Sequence, residues 1–415
     1  MKSQRIVCFV VFLLAFHANA QYTQTTAVLS SGGGSASSDN YDLLAVIGQV
    51  TESGTASAGN YVLSGGFIYT ITQQVLSCEE VQISLANSKA DVQVTATVAP
   101  YAQVDQVKLF YRAGGATEFT FVNMTAANEK FVGKIPGSIV TSRGVEYYLL
   151  AAAKSGSTSR WPESSVQSVS VTVAAPGAVA TAAQPNGESQ NNYRLVSFPL
   201  DLVNSGPEAV LKDDLNEYND QKWRFYELRA DQNYYEYAQV SEILPGKAFW
   251  LIVKDAGKVL DTGEGVTLPT HKKMGIALWP GWNFVGNPFD FAVPLDKFSL
   301  KSGNIRDMRR FEGLWSQADG ELKPFDGLAV ANNTNSIDTL FIDPYLSPTM
   351  QKAIPSSVTE TAPLWAVRIA AECGHARDID NMASVAETAS QSCDQLDLPE
   401  PPVIGDYLSI AFPHR

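Results

Sequence analysis

The chain has 415 residues, with 30 Lys and Arg against 43 Asp and Glu, a formal net charge of −13, 45% hydrophobic residues and 18% charged ones. That balance repels a phosphate backbone and excludes a nucleic-acid binder held by bulk charge. The hydrophobic and aromatic content exceeds that of a disordered acidic tail, and the length suits about two to four domains.

Residues 1–20 read as a secretory signal peptide. Lys2 and Arg5 form a short basic start, Ile6 to Phe16 is an unbroken apolar run, and Ala18-Asn19-Ala20 is an A-x-A cleavage site, so maturation would begin at Gln21. The run is shorter than the ~20 residues of a spanning helix. No later stretch replaces it, so the mature chain is expected to carry no transmembrane segment and to be secreted or held at the cell surface. Cys8 lies inside the apolar run rather than after a lipobox, which speaks against lipid anchoring. Loss of Lys2 and Arg5 takes the net charge to −15. Cys78, Cys373 and Cys393 remain. An oxidising compartment permits a Cys373–Cys393 bridge across about 20 residues, worth roughly 3 kcal/mol, with free thiols as the alternative. Three cysteines are too few for a disulfide-built scaffold, so hydrophobic cores must hold the domains.

The chain then divides by pattern. Residues 21–75 are Gly/Ser-rich with an internal echo: Asn40-Tyr41-Asp42-Leu43 before Ala45-Val46-Ile47-Gly48, and Asn60-Tyr61-Val62-Leu63 before Gly65-Gly66-Phe67-Ile68. Each unit reads as short strands closed by glycines, or as a flexible spacer. In 76–176, Val92, Val94, Ala96 and Val98 alternate, as do Val107, Leu109 and Tyr111, then Val145, Tyr147, Leu149 and Ala151. Gly114-Gly115 and Pro136-Gly137 mark turns, and the whole predicts an antiparallel β-sandwich. Residues 177–192, rich in Ala, Pro, Gly and Asn, read as an exposed linker.

A duplication follows, with copy 1 over 193–275 and copy 2 over 276–350. The first copy runs through Leu195-Val196-Ser197-Phe198-Pro199, Trp223-Arg224-Phe225-Tyr226 and Pro245-Gly246-Lys247-Ala248-Phe249-Trp250-Leu251. The second runs through Trp282-Asn283-Phe284-Val285-Gly286-Asn287-Pro288, Arg310-Phe311-Glu312 and Pro324-Phe325-Asp326-Gly327-Leu328-Ala329-Val330. The anchors recur at spacings of 89, about 90 and 79 residues, so the copies differ in loop length and share strand order. Residues 351–415 predict a partial β unit, with strands at Leu364–Ala370 and Tyr407–Phe412. A terminal strand so close to Arg415 suggests a chain that stops inside a domain.

No catalytic constellation emerges. His271, His375 and His414 have no zinc spacing, and neither a G-x-S-x-G elbow nor a P-loop occurs. The run Asp213-Asp214-Leu215-Asn216-Glu217-Tyr218-Asn219-Asp220 offers oxygen ligands for Ca²⁺ but lacks EF-hand spacing, so a solvated turn is the simpler reading, as it is for Asp378-Ile379-Asp380-Asn381. Trp223, Phe225, Tyr226, Tyr234, Tyr235 and Tyr237 crowd two adjacent predicted strands. Alternation places Tyr235 and Tyr237 on one face, where with Trp223 they would form a platform for sugar rings; core packing accounts for the same residues.

The stretch Gly144-Val145-Glu146-Tyr147-Tyr148-Leu149-Leu150-Ala151-Ala152 resembles the penultimate strand of fibronectin type III and related immunoglobulin-like domains. The phrase Gly281-Trp282-Asn283-Phe284-Val285-Gly286-Asn287-Pro288-Phe289, with Pro245–Leu251 and Glu400-Pro401-Pro402, resembles large exported surface proteins of Bacteroidetes-like bacteria associated with type IX secretion. Their C-terminal sorting domain has no counterpart here. The resemblance implies an exported, modular, non-enzymatic protein with an adhesive or structural role. The alternative is a carbohydrate-binding or polysaccharide-processing accessory protein. Either would meet extracellular polysaccharide or cell-surface components, with no cofactor beyond Ca²⁺.

Overall fold

The computed structural model describes residues 32–38, 41–47, 54–58, 61–65, 76–80, 83–174, 179–303, 305, 307–346, 363–374, 376–387, 389, 397–402 and 408–410. The signal segment 1–20, His375, Cys393, His414 and half of the expected last strand (407, 411 and 412) lie outside the described residues. Two units result, residues 1–75 and 76–415. In the first, Gly32–Ser38 pairs with Tyr41–Ile47 and Gly54–Ala58 with Tyr61–Gly65, so each echoed Asn-Tyr motif opens the second strand of a hairpin.

The second unit is almost entirely β, as its sequence pattern predicts. Its one α-helix among the described residues, Pro207–Leu215, has proline in its first turn and buries Val210, Leu211 and Leu215. The region 76–174 forms a β-sandwich. One sheet runs Thr125–Ala127, Lys130–Ile135, Val92–Ala99, Ser77–Glu80; the other contains Gln167–Val173, Val145–Ala153, Val104–Ala113 and Thr120–Asn123 in that order. Strand side chains alternate between faces, so Val94, Ala96 and Val98 meet Leu109, Tyr147 and Leu149 in a closed core.

The two copies of the duplicated module have the same strand order and register. In copy 1, Arg194–Val196 pairs with Phe249–Val253, which pairs with Trp223–Leu228, which pairs with Tyr234–Glu236. In copy 2 the corresponding order is Gly281–Gly286, Gly327–Asn332, Met308–Phe311 and Trp315–Gln317. Leu195 faces Trp250 as Phe284 faces Ala329, which fits the expected spacings of 89 and 79. Tyr226 faces Trp250 as Arg309 faces Ala329, so the middle anchor recurs at 83 residues where the motif comparison placed it near 90. Strand pairing makes Arg309 the equivalent of Tyr226, so the aromatic residues of the two motifs do not occupy matching positions.

The copies grip each other reciprocally. Val196 bridges to Asp326, and the equivalent Val285 bridges to Lys247. The Ser197 amide donates to Phe325 O at 2.8 Å, and the Gly286 amide donates to Gly246 O at 2.9 Å. Gly246 and Phe325 both have positive φ, +82° and +65°, which glycine adopts freely and phenylalanine does so only under tertiary constraint. Close approach at this seam demands small residues: a Cβ on Gly286 would lie 2.1 Å from Ser197 Cβ, and one on Gly327 would lie 2.5 Å from Ala248 Cβ. Each copy has a core of its own, and Tyr193, Leu195, Tyr226, Trp250, Trp282, Phe284 and Phe311 form another between them. The Phe249–Val253 and Gly327–Asn332 strands are therefore buried on both faces, which explains their continuous apolar runs.

The sandwich and the modules are joined by backbone. Val173 in the last sandwich strand pairs with Gly265, and Thr172 with Val266, whose other edge holds Asp201 and Leu202. The expected linker lies along copy 1: the amides of Thr181, Gln184 and Gly187 donate to Leu260, Lys258 and Val253 carbonyls, and Val179 is buried. Near the C-terminal end, Trp365–Cys373 and Ala376–Val385 form a hairpin with Trp365, Val367 and Met382 exposed. The expected strand Leu364–Ala370 thus begins one residue later, at Trp365, and runs on to Cys373.

Candidate functional site

The three aromatic residues expected to form a sugar platform separate. Trp223 is only 2% exposed, in the core of copy 1. Tyr237 does not continue the strand; it opens a 3₁₀ turn, Tyr237–Gln239, and stacks on Tyr218 at 4.5 Å with Trp223 edge-on at 5.0 Å. Alternation fails because the strand ends at Glu236, where the carboxylate binds Arg224 and the Tyr218 hydroxyl. Tyr235 is half-buried, with Arg229 3.9 Å over its ring and its hydroxyl donating to Asp231 at 2.7 Å. Phe225 is buried, and Tyr226 and Tyr234 turn towards copy 2.

The aromatic surface that the fold does assemble lies along the seam of the copies, and sequence reasoning did not find it. Tyr234 and Trp315 hold equivalent positions, each opposite the end of its neighbouring strand, Leu228 or Phe311. Trp282, from the first strand of copy 2, stands between the copies: its amide donates to Gln232 Oε1 at 2.9 Å, and its carbonyl accepts from Gln232 Nε2 at 3.1 Å. Trp250 Nε1 donates to the Tyr234 hydroxyl at 3.2 Å, which fixes that ring and directs its proton outward. A row of N–H and O–H donors results.

Residues Asp397–Pro402 lie on this row. Trp282 Nε1 donates to Asp397 O at 2.8 Å, Trp315 Nε1 to Pro399 O at 2.7 Å, and the Tyr234 hydroxyl to Glu400 O at 2.8 Å. Gln190 Nε2 donates to Pro401 O at 2.9 Å and to Glu400 Oε1 at 3.0 Å. An open cleft of about 380 Å³ remains beside the segment, lined by Leu228, Gln232, Tyr234 and Trp282. The available signal was the run Leu398-Pro399-Glu400-Pro401-Pro402 and the recurrence of aromatics at equivalent positions of the copies.

Charged groups elsewhere are engaged within the structure. In the acidic run, Glu217 binds Lys212, and Asp214 accepts the Asp261 amide at 2.7 Å. Burial, reinforced by Asp261 and Asp213, pushes the Asp214 carboxyl up to about 6. Among the described residues no three His, Cys, Asp or Glu side chains converge as a metal site. His271 Nδ1 lies 2.6 Å from Ser168 Oγ, across the junction of sandwich and module. Buried Arg112 meets buried Glu146 at 2.6 Å, donates to Thr117 O and Leu346 O, and lies over the Phe119 ring. Burial drives the Glu146 carboxyl up against the pull of Arg112. Cys373 is exposed and Cys78 half-buried, and burial pushes the Cys78 thiol up to about 12, away from reactive thiolate. Cys393, the expected partner of Cys373, lies outside the described residues.

No helix among the described residues is long and apolar enough to cross a membrane. In comparisons with known proteins, no family model matches the chain, and no curated protein does.

Proposed function

We propose that this chain is a non-enzymatic, exported, modular protein with an adhesive or structural role at the cell surface or outside the cell. The observation that carries the reading is the way the modules are joined. The sandwich extends its sheet into copy 1 through Val173 and Gly265, and copy 1 exchanges backbone hydrogen bonds reciprocally with copy 2. Buried Arg112 ties the sandwich to Leu346, near the end of copy 2. Such junctions transmit force and hold modules at fixed spacing, as a presenting or adhesive array requires. The basic start, apolar run and Ala18-Asn19-Ala20 of the N-terminus support export, and the Gly144–Ala152 stretch supports a fibronectin-like role for the sandwich.

Fractionation of the native host tests this. The product is expected at the cell surface or in the medium, beginning at Gln21 by mass spectrometry, and to bind a cell-surface or matrix component. A cytoplasmic product retaining Met1, or turnover of glycosides or esters by the purified chain, would overturn it.

The carbohydrate-binding alternative rests on Tyr235, whose half-buried ring keeps part of its area at the surface beside the Asp231 carboxylate, although Arg229 covers one ring face. Retardation by a polysaccharide gel that Tyr235→Ala abolishes would favour it.

A further inference from the structure

We propose that the aromatic seam between the two copies is a recognition site for a proline-rich, extended peptide, and that Asp397–Pro402 of this chain is its resident ligand. The ligand's sequence fixes its shape. Pro399, Pro401 and Pro402 have φ locked near −65°, and Leu398, Glu400 and Pro401 each precede a proline, which excludes the α region. A segment so constrained enters an extended, polyproline-like conformation with little further loss of entropy.

The site's chemistry is the complement of that shape. An extended proline-rich chain has no internal hydrogen bonds, and its prolines have no amide to donate, so its carbonyls are its recognisable polar groups. The seam supplies side-chain donors to the carbonyls of residues 397, 399 and 400, and Gln190 of the linker beside it supplies one to that of residue 401, all at 2.7–2.9 Å. Trp282 and Trp315 are donor-only indoles, and the Tyr234 hydroxyl is oriented as a donor by Trp250. Pro401 is buried against this surface and Pro399 half-buried. Aromatic side chains that pack on prolines while giving N–H or O–H bonds to carbonyls are the general means of reading such peptides. Because Tyr234 belongs to copy 1 and Trp282 and Trp315 to copy 2, the site exists only when the copies are joined. The docked segment therefore clasps both modules and fixes the point from which the chain beyond residue 402 departs.

The test uses the full chain. In protein with ¹⁵N-labelled tryptophan, the indole N–H groups of Trp282 and Trp315 are expected to exchange with solvent at least tenfold more slowly than that of exposed Trp279. Replacing Pro399, Pro401 and Pro402 together by Gly should release the segment and abolish that protection. The released chain should then bind a fluorescent peptide of sequence 396–403 at least tenfold more tightly than the wild type, whose site is occupied. Adding Trp282→Phe and Trp315→Phe should weaken peptide binding at least tenfold with cooperative unfolding retained. Exchange of both indoles as fast as Trp279 in the wild type would overturn the proposal, and that measurement needs no variant to fold. So would peptide binding by the folded, released chain that the two Phe substitutions leave unchanged, or no binding at millimolar peptide.

Discussion

The two copies of the duplicated module share strand order and register yet differ at nearly every side chain they present to each other. Where copy 1 places Trp250 and Ile252 in the shared core, copy 2 places Ala329 and Ala331; where copy 1 places Tyr193 and Leu195, copy 2 places Trp282 and Phe284. Copy 1 holds the larger side chains at the first pair of positions and copy 2 at the second, so the symmetry of the shared core is lost. The charges behave likewise. Buried Glu227 binds Lys247 at 2.8 Å in copy 1, and at the equivalent positions of copy 2 Arg310 binds Asp326 at 3.3 Å with the signs exchanged. Backbone geometry is thus what the copies preserve. Interiors are close-packed, so side chains at a shared core can change only in complementary sets.

The largest expected effect breaks the volume exchange. Trp250→Ala should cost about 3–5 kcal/mol in urea denaturation, because its ring packs edge-on against Tyr193, Phe284, Phe311 and Trp315 and its removal leaves a cavity among them. Combining it with Ala329→Trp moves the large ring to the other copy, and the double variant should deviate from additivity by about 0.5–3 kcal/mol towards recovery. Strict additivity would mean that the two positions do not share one core.

The close approach itself is tested next. Gly286→Ala should cost about 1–3 kcal/mol, since its Cβ would meet Ser197 Cβ and Lys247 O, the latter at 2.5 Å. Ser197→Ala, on the opposite side of the seam, removes the hydroxyl that donates to Asp326 O at 2.8 Å and should cost about 1 kcal/mol. A Gly286→Ala variant as stable as wild type would show that the seam can open.

The charge exchange gives effects of opposite sign. Burial acts to raise the Glu227 carboxyl, but Lys247 and Arg229 donate to it and hold it below its ordinary value. A depressed carboxylate contributes stability above its unfolded pKa of about 4.3 and loses it as pH falls through the lower folded value. Glu227→Gln should therefore cost about 1–3 kcal/mol at pH 7, with the difference closing below about pH 4. Burial raises the Asp326 carboxyl despite Arg310 and Lys323. Its charge is a penalty that appears as pH rises above about 3.9 towards the folded value, so Asp326→Asn should stabilise the chain at pH 7 and have no effect near pH 3. With its side chain 42% exposed, screening keeps this gain under about 1 kcal/mol. Destabilisation of equal size by both substitutions would remove the contrast.

Much of this architecture was legible because it depends on local pattern. Period-2 alternation in Val92–Ala99 and Val145–Ala153 marked the sandwich, and the recurring Pro-x turns and aromatic strands marked the duplication. The middle anchor drifted because similar side chains do not occupy equivalent positions. The site was read less well. Tyr237 matched Tyr235 in spacing, yet the chain turns after Glu236, and Trp223 was claimed by the copy 1 core. Tyr234, Trp282 and Trp315 are separated by up to 81 residues, and nothing local ties them to one another or to a segment near 400.

The sequence by itself determined the β class, the sandwich, the duplicated order and the extended shape of the proline-rich segment, since each follows from residue-level sterics and strand periodicity. Only the tertiary structure decided which aromatics are core and which form a row of donors, because that depends on how two unlike faces meet. Only it decided that residues 397–402 lie on that row, because a chain stripped of its own hydrogen bonds takes its place from the donors the fold presents.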